Sequence, residues 1–232
     1  MGTSADPKTN VGSPVGARKR PAPDEPFDFR RGGGRVLLIA CGALAREIVT
    51  MIELNRWDHL DLACLPAKLH NTPELIPDAV RAKIREARGR YAEIKVVYAD
   101  CGTGGLLDAV CVAEGVERIG GPHCYAFFSG VTAFEAAGDA DMTAFFLTDY
   151  LVRFFDALIW RGFGLDRRAD MRDFLFGHYE KVVYLAQIQD SSLEAEAQAI
   201  AERLALAYEY RFTGYGDLET FMRGGNEHAT QS

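Results

Sequence analysis

The feature that most constrains the fold is a regular alternation between short apolar runs and longer stretches with helical character. Seven runs of strand length each precede a helix-like stretch: RVLLIA (35–40), LDLACLP (60–66), IKVVYA (94–99), VERIG (116–120), TAFFLT (143–148), KVVYLAQI (181–188) and YEYRFT (208–213). Apolar strands that alternate with helices are typical of a parallel sheet covered on both faces. Right-handed crossovers and uneven unit lengths favour an open, doubly wound, mostly parallel α/β sheet, Rossmann-like, with about six to seven strands, over a closed barrel.

The composition is that of an ordinary soluble protein and excludes several classes of function. Of 232 residues, 48% are hydrophobic and 25% are charged, which supports a core without disulfide bonds. The net charge of -7 argues against a nucleic-acid partner, because phosphate contacts need clustered Lys and Arg. No apolar run reaches the roughly 20 residues of a membrane helix. Five cysteines without a secretory signal indicate a reducing compartment, so we expect a cytoplasmic protein without a membrane partner.

Both ends of the chain differ in composition from the segment between them. Residues 1–34 are rich in Pro, Gly and charge and lack apolar periodicity, so they are predicted to be a disordered tail. Residues 224–232 are expected to fray in the same way. The segment 35–223 is then a single α/β domain. Within it, the aromatic-rich segment 143–164 is expected to be core, with an apolar pocket wall or a homo-oligomer face as the alternatives.

Residues with reactive side chains follow the predicted strands directly. In an open α/β sheet, ligands bind at the edge formed by the carboxyl ends of the strands. The residues expected at this edge are Cys41 after the first strand, His70 and Asn71 after the second, Asp100 and Cys101 after the third, and His123 and Cys124 after the fourth. The two remaining cysteines, Cys64 within a strand and Cys111 on an apolar helix face, are expected to be small buried hydrophobes.

Three thiols and an imidazole at one edge form a sensible tetrahedral set for a metal ion. Zinc prefers such ligands and iron accepts them. The predicted ligands are Cys41, His70, Cys101 and Cys124. An exchangeable position on the ion would activate a substrate thiol or water. The predicted acid, base or hydrogen-bonding groups around the ion are Asn71, Asp100 and His123.

The same residues also permit a site without a metal. Each of the three cysteines at the edge precedes a predicted helix, whose dipole lowers the pKa of a thiol. One of them could then act as a nucleophile with His70 or His123 as its base. Taken singly, a cysteine at such a position is more often a small residue that fills the first turn of a helix. Their joint placement favours a functional site, and the sequence leaves the metal and metal-free alternatives open.

The glycine-rich segment DCGTGG (100–105) lies where a phosphate-binding loop would lie. It matches neither the GxxxxGK[ST] pattern nor the GxGxxG pattern. Gly102 and Gly104 could still bring backbone N–H groups close to an anionic cofactor. The favoured interpretation is a sharp turn that presents Cys101.

Five motifs along the chain together resemble the DUF1638 family of bacterial and archaeal proteins. They are ACGAL, LHNTPELIP, YADCGTGG, PHCYAFFSG and AFFLTDYL, and they cover most of residues 35–160. The resemblance implies that Cys41, the His70–Asn71 pair, Cys101 and the His123–Cys124 pair belong to one recurring set. His123 and Cys124 are adjacent here, whereas many relatives have a residue between them, which argues against His123 as a ligand. The family also implies a setting in one-carbon metabolism beside corrinoid-dependent methyltransferases.

One principal hypothesis and two alternatives follow. The principal hypothesis is a zinc- or iron-binding α/β protein that takes a small-molecule substrate and acts in methyl-transfer or thiol chemistry beside a corrinoid protein, as a metalloenzyme or an accessory protein. The first alternative is a non-enzymatic carrier of a metal or cofactor for a corrinoid methyltransferase system. The second is a metal-free enzyme with a cysteine nucleophile, which predicts one thiol far more reactive than the others.

Overall fold

A computed structural model describes residues 25–30, 33–168 and 170–224 of the protein. Its strands are β1 (Phe27–Phe29), β2 (Val36–Cys41), β3 (Leu60–Leu65), β4 (Glu93–Val97), β5 (Glu117–Arg118), β6 (Ala144–Thr148), β7 (Lys181–Ala186) and β8 (Ala207–Phe212). Its α-helices are α1 (Ala45–Asn55), α2 (Ile76–Ala87), α3 (Leu106–Glu114), α4 (Ala126–Ser129), α5 (Val131–Ala137), α6 (Asp149–Phe155), α7 (Asp170–Phe176), α8 (Ser191–Leu204) and α9 (Gly216–Arg223). A π-helical turn (Asp156–Trp160) continues α6, and short 3₁₀ turns occupy Gly42–Leu44, Ala67–Asn71, Pro73–Leu75 and Gly138–Asp141.

The strands form two sheets. The first sheet has the order β1-β3-β2-β4-β5, and its central strand β2 runs parallel to both neighbours. In the same sheet β5 is parallel to β4, and β1 is antiparallel to β3. The second sheet has the order β6-β7-β8 and is parallel throughout. The predicted doubly wound, mostly parallel α/β class is confirmed.

The seven predicted strands are all present, but they are divided between two sheets rather than joined in one. The strand β5 consists of only two residues, Glu117–Arg118. Turns and the short helices α4 and α5 follow it before β6 begins. A two-residue strand offers too few backbone groups for another strand to pair along it, and β6 starts a sheet of its own.

The apolar strand sequences are explained by burial on both faces of each sheet. Leu38, Ile39 and Ala40 in β2 are fully buried, as are Val182 and Val183 in β7. The helices α1 and α2 pack against the first sheet, and α8 packs against the second. In the described part of the chain, no helix has the length and apolarity that a membrane crossing requires.

The strand β1 lies inside the segment predicted to be a disordered tail. It pairs with β3 in antiparallel register, with Phe29 opposite Leu62, and the Phe29 side chain is buried. The structure differs from the prediction here because a three-residue run is too short to show periodicity and gains its burial from β3. Residues 1–24, 31–32 and 225–232 of the predicted tails lie outside the described residues.

Candidate thiol site at the strand ends

A cavity of about 190 Å³ lies at the carboxyl ends of β2 and β6 and takes its lining from both sheets. Five of the predicted site residues line it: Cys41, His70, Asn71, Cys101 and Cys124. One part of the lining comes from residues 41–128 and includes the three cysteines, and the other part comes from residues 145–159. The cysteines that the sequence placed after three different strands therefore share one pocket.

Cys41 is held by the tight approach of two strand ends. It is the last residue of β2, pairs with Leu65 of β3, and is 6% exposed. Gly42 follows it, and a Cβ atom on Gly42 would lie only 3.0 Å from the carbonyl oxygen of Leu65. The glycine thus lets the chain turn close to β3 and enter α1 directly behind the thiol.

Cys101 has a left-handed backbone conformation, with φ of 48°. Such a conformation is uncommon for a residue with a side chain and costs about 1–3 kcal/mol. The N–H group of Cys101 donates to the carbonyl oxygen of Pro122 at 2.9 Å. The Asp100 carboxylate accepts hydrogen bonds from the Thr103 hydroxyl (2.6 Å) and from two glycine N–H groups (2.8 and 3.1 Å). These bonds hold the pKa of Asp100 below its usual range, and Asp100 fixes the turn that presents Cys101.

The two glycines predicted to bind a cofactor serve the geometry of this turn. Gly102 and Gly104 have φ values of 87° and 62°, in the left-handed region that favours glycine. The N–H group of Gly104 already donates to Asp100. Neither Gly102 nor Gly104 lines the cavity, which agrees with the turn interpretation of the segment.

The thiols of the pocket interact with one another and with His70. The sulfur atoms of Cys101 and Cys124 lie 3.5 Å apart. Hydrogen bonding from Cys124, and then from His70, lowers the pKa of Cys101 to about 5 despite its burial. The same bonding from Cys124 lowers the pKa of Cys41 and raises the pKa of Cys124 itself, which keeps its proton. Interaction with Cys101 raises the pKa of His70, so a Cys101 thiolate beside a protonated imidazole is favoured.

Two buried polar atoms near these sulfurs have no hydrogen-bond partner among the described residues. They are the Tyr98 hydroxyl and the His123 Nδ1 atom. Burial and the neighbouring thiol of Cys41 raise the pKa of Tyr98, whereas burial lowers the pKa of His123. The His123 ring stacks on Tyr125 at 4.9 Å. The Cys41 thiol is the polar neighbour of the Tyr98 hydroxyl, and neither Tyr98 nor His123 lines the cavity.

Tyr98 is the main residue of the site that sequence reasoning missed. It follows β4 directly and is 1% exposed. A tyrosine at the end of an apolar run is typical of a strand core, so its type alone carried no signal. Its position in the sequence could have indicated its role, because a residue two positions before Asp100 lies next to the turn that carries Cys101.

The other part of the cavity wall is apolar and aromatic. It includes Phe145, Phe146, Tyr150, Leu158 and Ile159. The last two belong to the π-helical turn that continues α6. Leu158 and Ile159 pack against the hydrophobic core, as predicted, and they also form part of the cavity wall.

The four predicted ligands share the cavity without forming a ready-made metal site. Among the described residues, no three His, Cys, Asp or Glu side chains are grouped so that they could hold a metal ion. Two thiolates on one zinc ion, each about 2.3 Å from it, are about 3.8 Å apart. The 3.5 Å separation of the Cys101 and Cys124 sulfurs is close to that of such a ligand pair. Cys64 and Cys111 are buried outside the cavity lining, as predicted, and burial raises the pKa of both.

The chain was compared with protein families, curated proteins and solved structures. A family model described as a protein of unknown function, DUF1638, matches residues 64–222, which is more than half of the chain. The matched range includes His70, Cys101 and Cys124, and Cys41 precedes it. Neither a curated protein nor a solved structure matches the chain.

Proposed function

The chain belongs to the DUF1638 family, and we propose that it binds a zinc or iron ion in the thiol pocket and presents it to a small-molecule substrate. The observation that carries this proposal is the meeting of three thiols from three separate segments of the chain in one cavity, with the Cys101 and Cys124 sulfurs 3.5 Å apart. Cys41 is the third ligand and His70 the fourth. The Cys41 thiol already interacts with Cys124 by a side-chain hydrogen bond, which supports its place in the set.

The protonation states of the thiols support ion binding. A metal ligand must be a thiolate, and the pKa of Cys101 at about 5 makes it one at neutral pH without any ion. The pKa of Cys41 is also lowered. Cys124 keeps its proton, which leaves when an ion takes its place between the sulfurs. Binding is therefore expected to release protons and to weaken as the pH falls toward 5.

The reaction that we propose for this site is thiol chemistry, with methyl transfer as its specific form. A bound ion would hold a substrate thiol as a thiolate at neutral pH. In methyl transfer, the sulfur lone pair forms the new C–S bond while the bond from the methyl group to its donor breaks, and the thiol proton leaves to solvent. The soft donor set and the apolar cavity support the thiol chemistry. A corrinoid protein as the methyl donor or acceptor is the part implied by the family resemblance.

A second candidate function is a metal-free enzyme with Cys101 as its nucleophile. The observation that favours it is the pKa of about 5, produced by hydrogen bonds from Cys124 and His70. His70 would then stabilise the thiolate and return a proton to the leaving group. This candidate predicts that Cys101 is the most reactive thiol of the protein and that chelators leave its reactivity unchanged.

Elemental analysis separates the two candidates. The protein is purified without oxygen and without a histidine tag as wild type, Cys101→Ser, Cys124→Ser and the control Cys111→Ser, whose thiol is buried away from the cavity. We expect near-stoichiometric zinc or iron in the wild type and the control, and loss of the ion in the other two variants. A wild-type protein that contains neither zinc nor iron would refute the proposal that the site binds a metal ion. Iodoacetamide labelling confined to Cys101 would then support the second candidate.

A further inference from the structure

The walls of the thiol pocket lack charged side chains that could neutralise an ionic substrate. Among the described residues that line the cavity, none is Asp, Glu, Lys or Arg. A phosphate, carboxylate or ammonium group buried against this wall would find no Asp, Glu, Lys or Arg side chain to pair with, and unpaired burial of a charge is costly.

The polar groups that remain suit a neutral molecule with one or two hydrogen-bonding atoms. Asn71 contributes an amide, Tyr125 and Tyr150 contribute phenols, and Thr148 contributes a hydroxyl to the lining. The Thr148 oxygen also accepts the N–H of Leu151, where it caps α6. The rest of the residue 145–159 wall is hydrocarbon, so most of the bound molecule must be apolar.

The size of the cavity sets the size of the molecule. Its volume is about 190 Å³. An apolar protein cavity of about 150 Å³ holds one benzene molecule. The pocket therefore has room for a single ring with a small substituent.

The backbone of α6 gives an independent reason to regard this wall as part of a ligand site. The helix changes to a π-helical turn over Asp156–Trp160, a rare conformation that is frequent at functional sites. Leu158 and Ile159 line the cavity from inside that turn. Gly162 follows, and a Cβ atom on it would collide with the carbonyl oxygen of Leu158. The chain thus keeps a π-helical turn and a glycine where the wall is formed.

From these four observations we infer that the substrate of the pocket is an uncharged, largely apolar molecule the size of one substituted ring. The inference rests on the proposed function, because it names the substrate class of the same site. Its reactive group points toward the sulfur atoms, and its ring lies against Leu158 and Ile159. Nucleotides, sugar phosphates and amino acids are excluded as molecules that enter this cavity whole.

Three ring compounds of matched size test the charge preference: benzyl alcohol, benzoate and benzylammonium. Binding to the wild type is measured by calorimetry under anaerobic conditions. We expect benzyl alcohol to bind about tenfold or more tightly than either ion, because burial of an unpaired charge costs more than about 1.4 kcal/mol. Tighter binding of benzoate or of benzylammonium would overturn the inference, and so would a failure of all three to bind.

A charge placed in the wall provides the matched test. In Leu158→Lys we expect the preference to move to benzoate, whereas the control Leu158→Met should keep the preference for benzyl alcohol. Metal content is measured on the same samples. A neutral preference in metal-free protein would refute the ion of the proposed function and leave this inference standing. A metal-loaded protein that prefers benzoate or benzylammonium would support the ion and refute this inference.

Discussion

Cys101 combines three properties that together mark a reactive residue. Its backbone is strained, with φ of 48°, its sulfur lies 3.5 Å from a second thiol, and its pKa is about 5. Strain of this kind persists where the surrounding structure holds it, and here the hydrogen bonds of Asp100 and of the Cys101 N–H group do so. The residue is thus set up as a thiolate before any ligand arrives.

The contribution of His70 to this thiolate is measurable. In chelator-treated wild type, the rate at which iodoacetamide modifies Cys101 should rise through pH of about 5 and level off before neutral pH. In His70→Asn the lost hydrogen bond raises the pKa of Cys101, so the rate at neutral pH should fall several-fold and still increase toward about pH 8.5, where free thiols ionise. The exposed His59→Asn is the control. Identical pH profiles for His70→Asn and wild type would contradict the pairing.

The residues of the pocket were only partly predictable from sequence. Cys41, His70 and Cys101 follow strands that end at one edge of the parallel sheet, so topology alone brings them together. Asp100 was expected to act as an acid, base or hydrogen-bonding group, and the structure places it in the hydrogen bonds of the turn. Tyr98 was not foreseen, because the depth of a tyrosine at a strand end depends on the neighbouring elements rather than on its own sequence.

At the scale of elements, the π-helical turn after α6 shapes the pocket wall. Gly162→Ala would push a methyl group into the Leu158 carbonyl, so we expect a loss of about 1–3 kcal/mol of stability and weaker binding of benzyl alcohol. Gly120 has open space around its Cα, and Gly120→Ala is the control that should leave both unchanged. Denaturant unfolding and calorimetry measure the two quantities. If the folded Gly162→Ala protein bound benzyl alcohol with the affinity of the wild type, the π-helical turn would not shape the pocket, and the prediction would be wrong.

The elements themselves follow from the sequence better than their assembly does. Apolar runs with no polar alternation, such as that of β2, predict strands buried on both faces, and the structure has them there. The division into two sheets depends on the length of β5, and no local pattern announces that a strand will pair over only two residues. The strand β1 was missed for a related reason, since its pairing with β3 is a contact between distant segments.

At the scale of the whole molecule, Glu47 of α1 lies where the layers of the two sheets meet. It lines a small cavity of about 70 Å³ together with Asp149 and Gln187, which lie next to the second sheet. The side chain is 4% exposed and its Oε2 atom has no hydrogen-bond partner among the described residues. Burial, with a smaller contribution from Asp149, raises the pKa of Glu47 to about 7.

This buried carboxyl predicts the pH dependence of stability. The pKa in the folded protein exceeds the value of about 4.3 in an unfolded chain, so the folded protein binds more protons between these values. The free energy of unfolding therefore falls as the pH rises from about 4.3 to about 7. Glu47→Gln removes this loss and should be more stable than wild type above pH of about 7, by on the order of 3 kcal/mol. Urea titrations across the pH range test this, with Glu53→Gln on the same helix as the control for loss of a charge. A wild type whose stability rises with pH relative to Glu47→Gln would contradict it.

All three cysteines of the cavity lining precede residue 128 in the chain, whereas the wall of residues 145–159 comes from β6, α6 and the π-helical turn and contains no cysteine. Substitutions in the later segment can therefore remodel what the pocket accepts while the reactive groups stay in place. Within a family built this way, specificity can diversify faster than chemistry. Relatives whose sequences differ in the segment that corresponds to residues 145–159 are therefore expected to share the chemistry of the pocket and to accept different molecules.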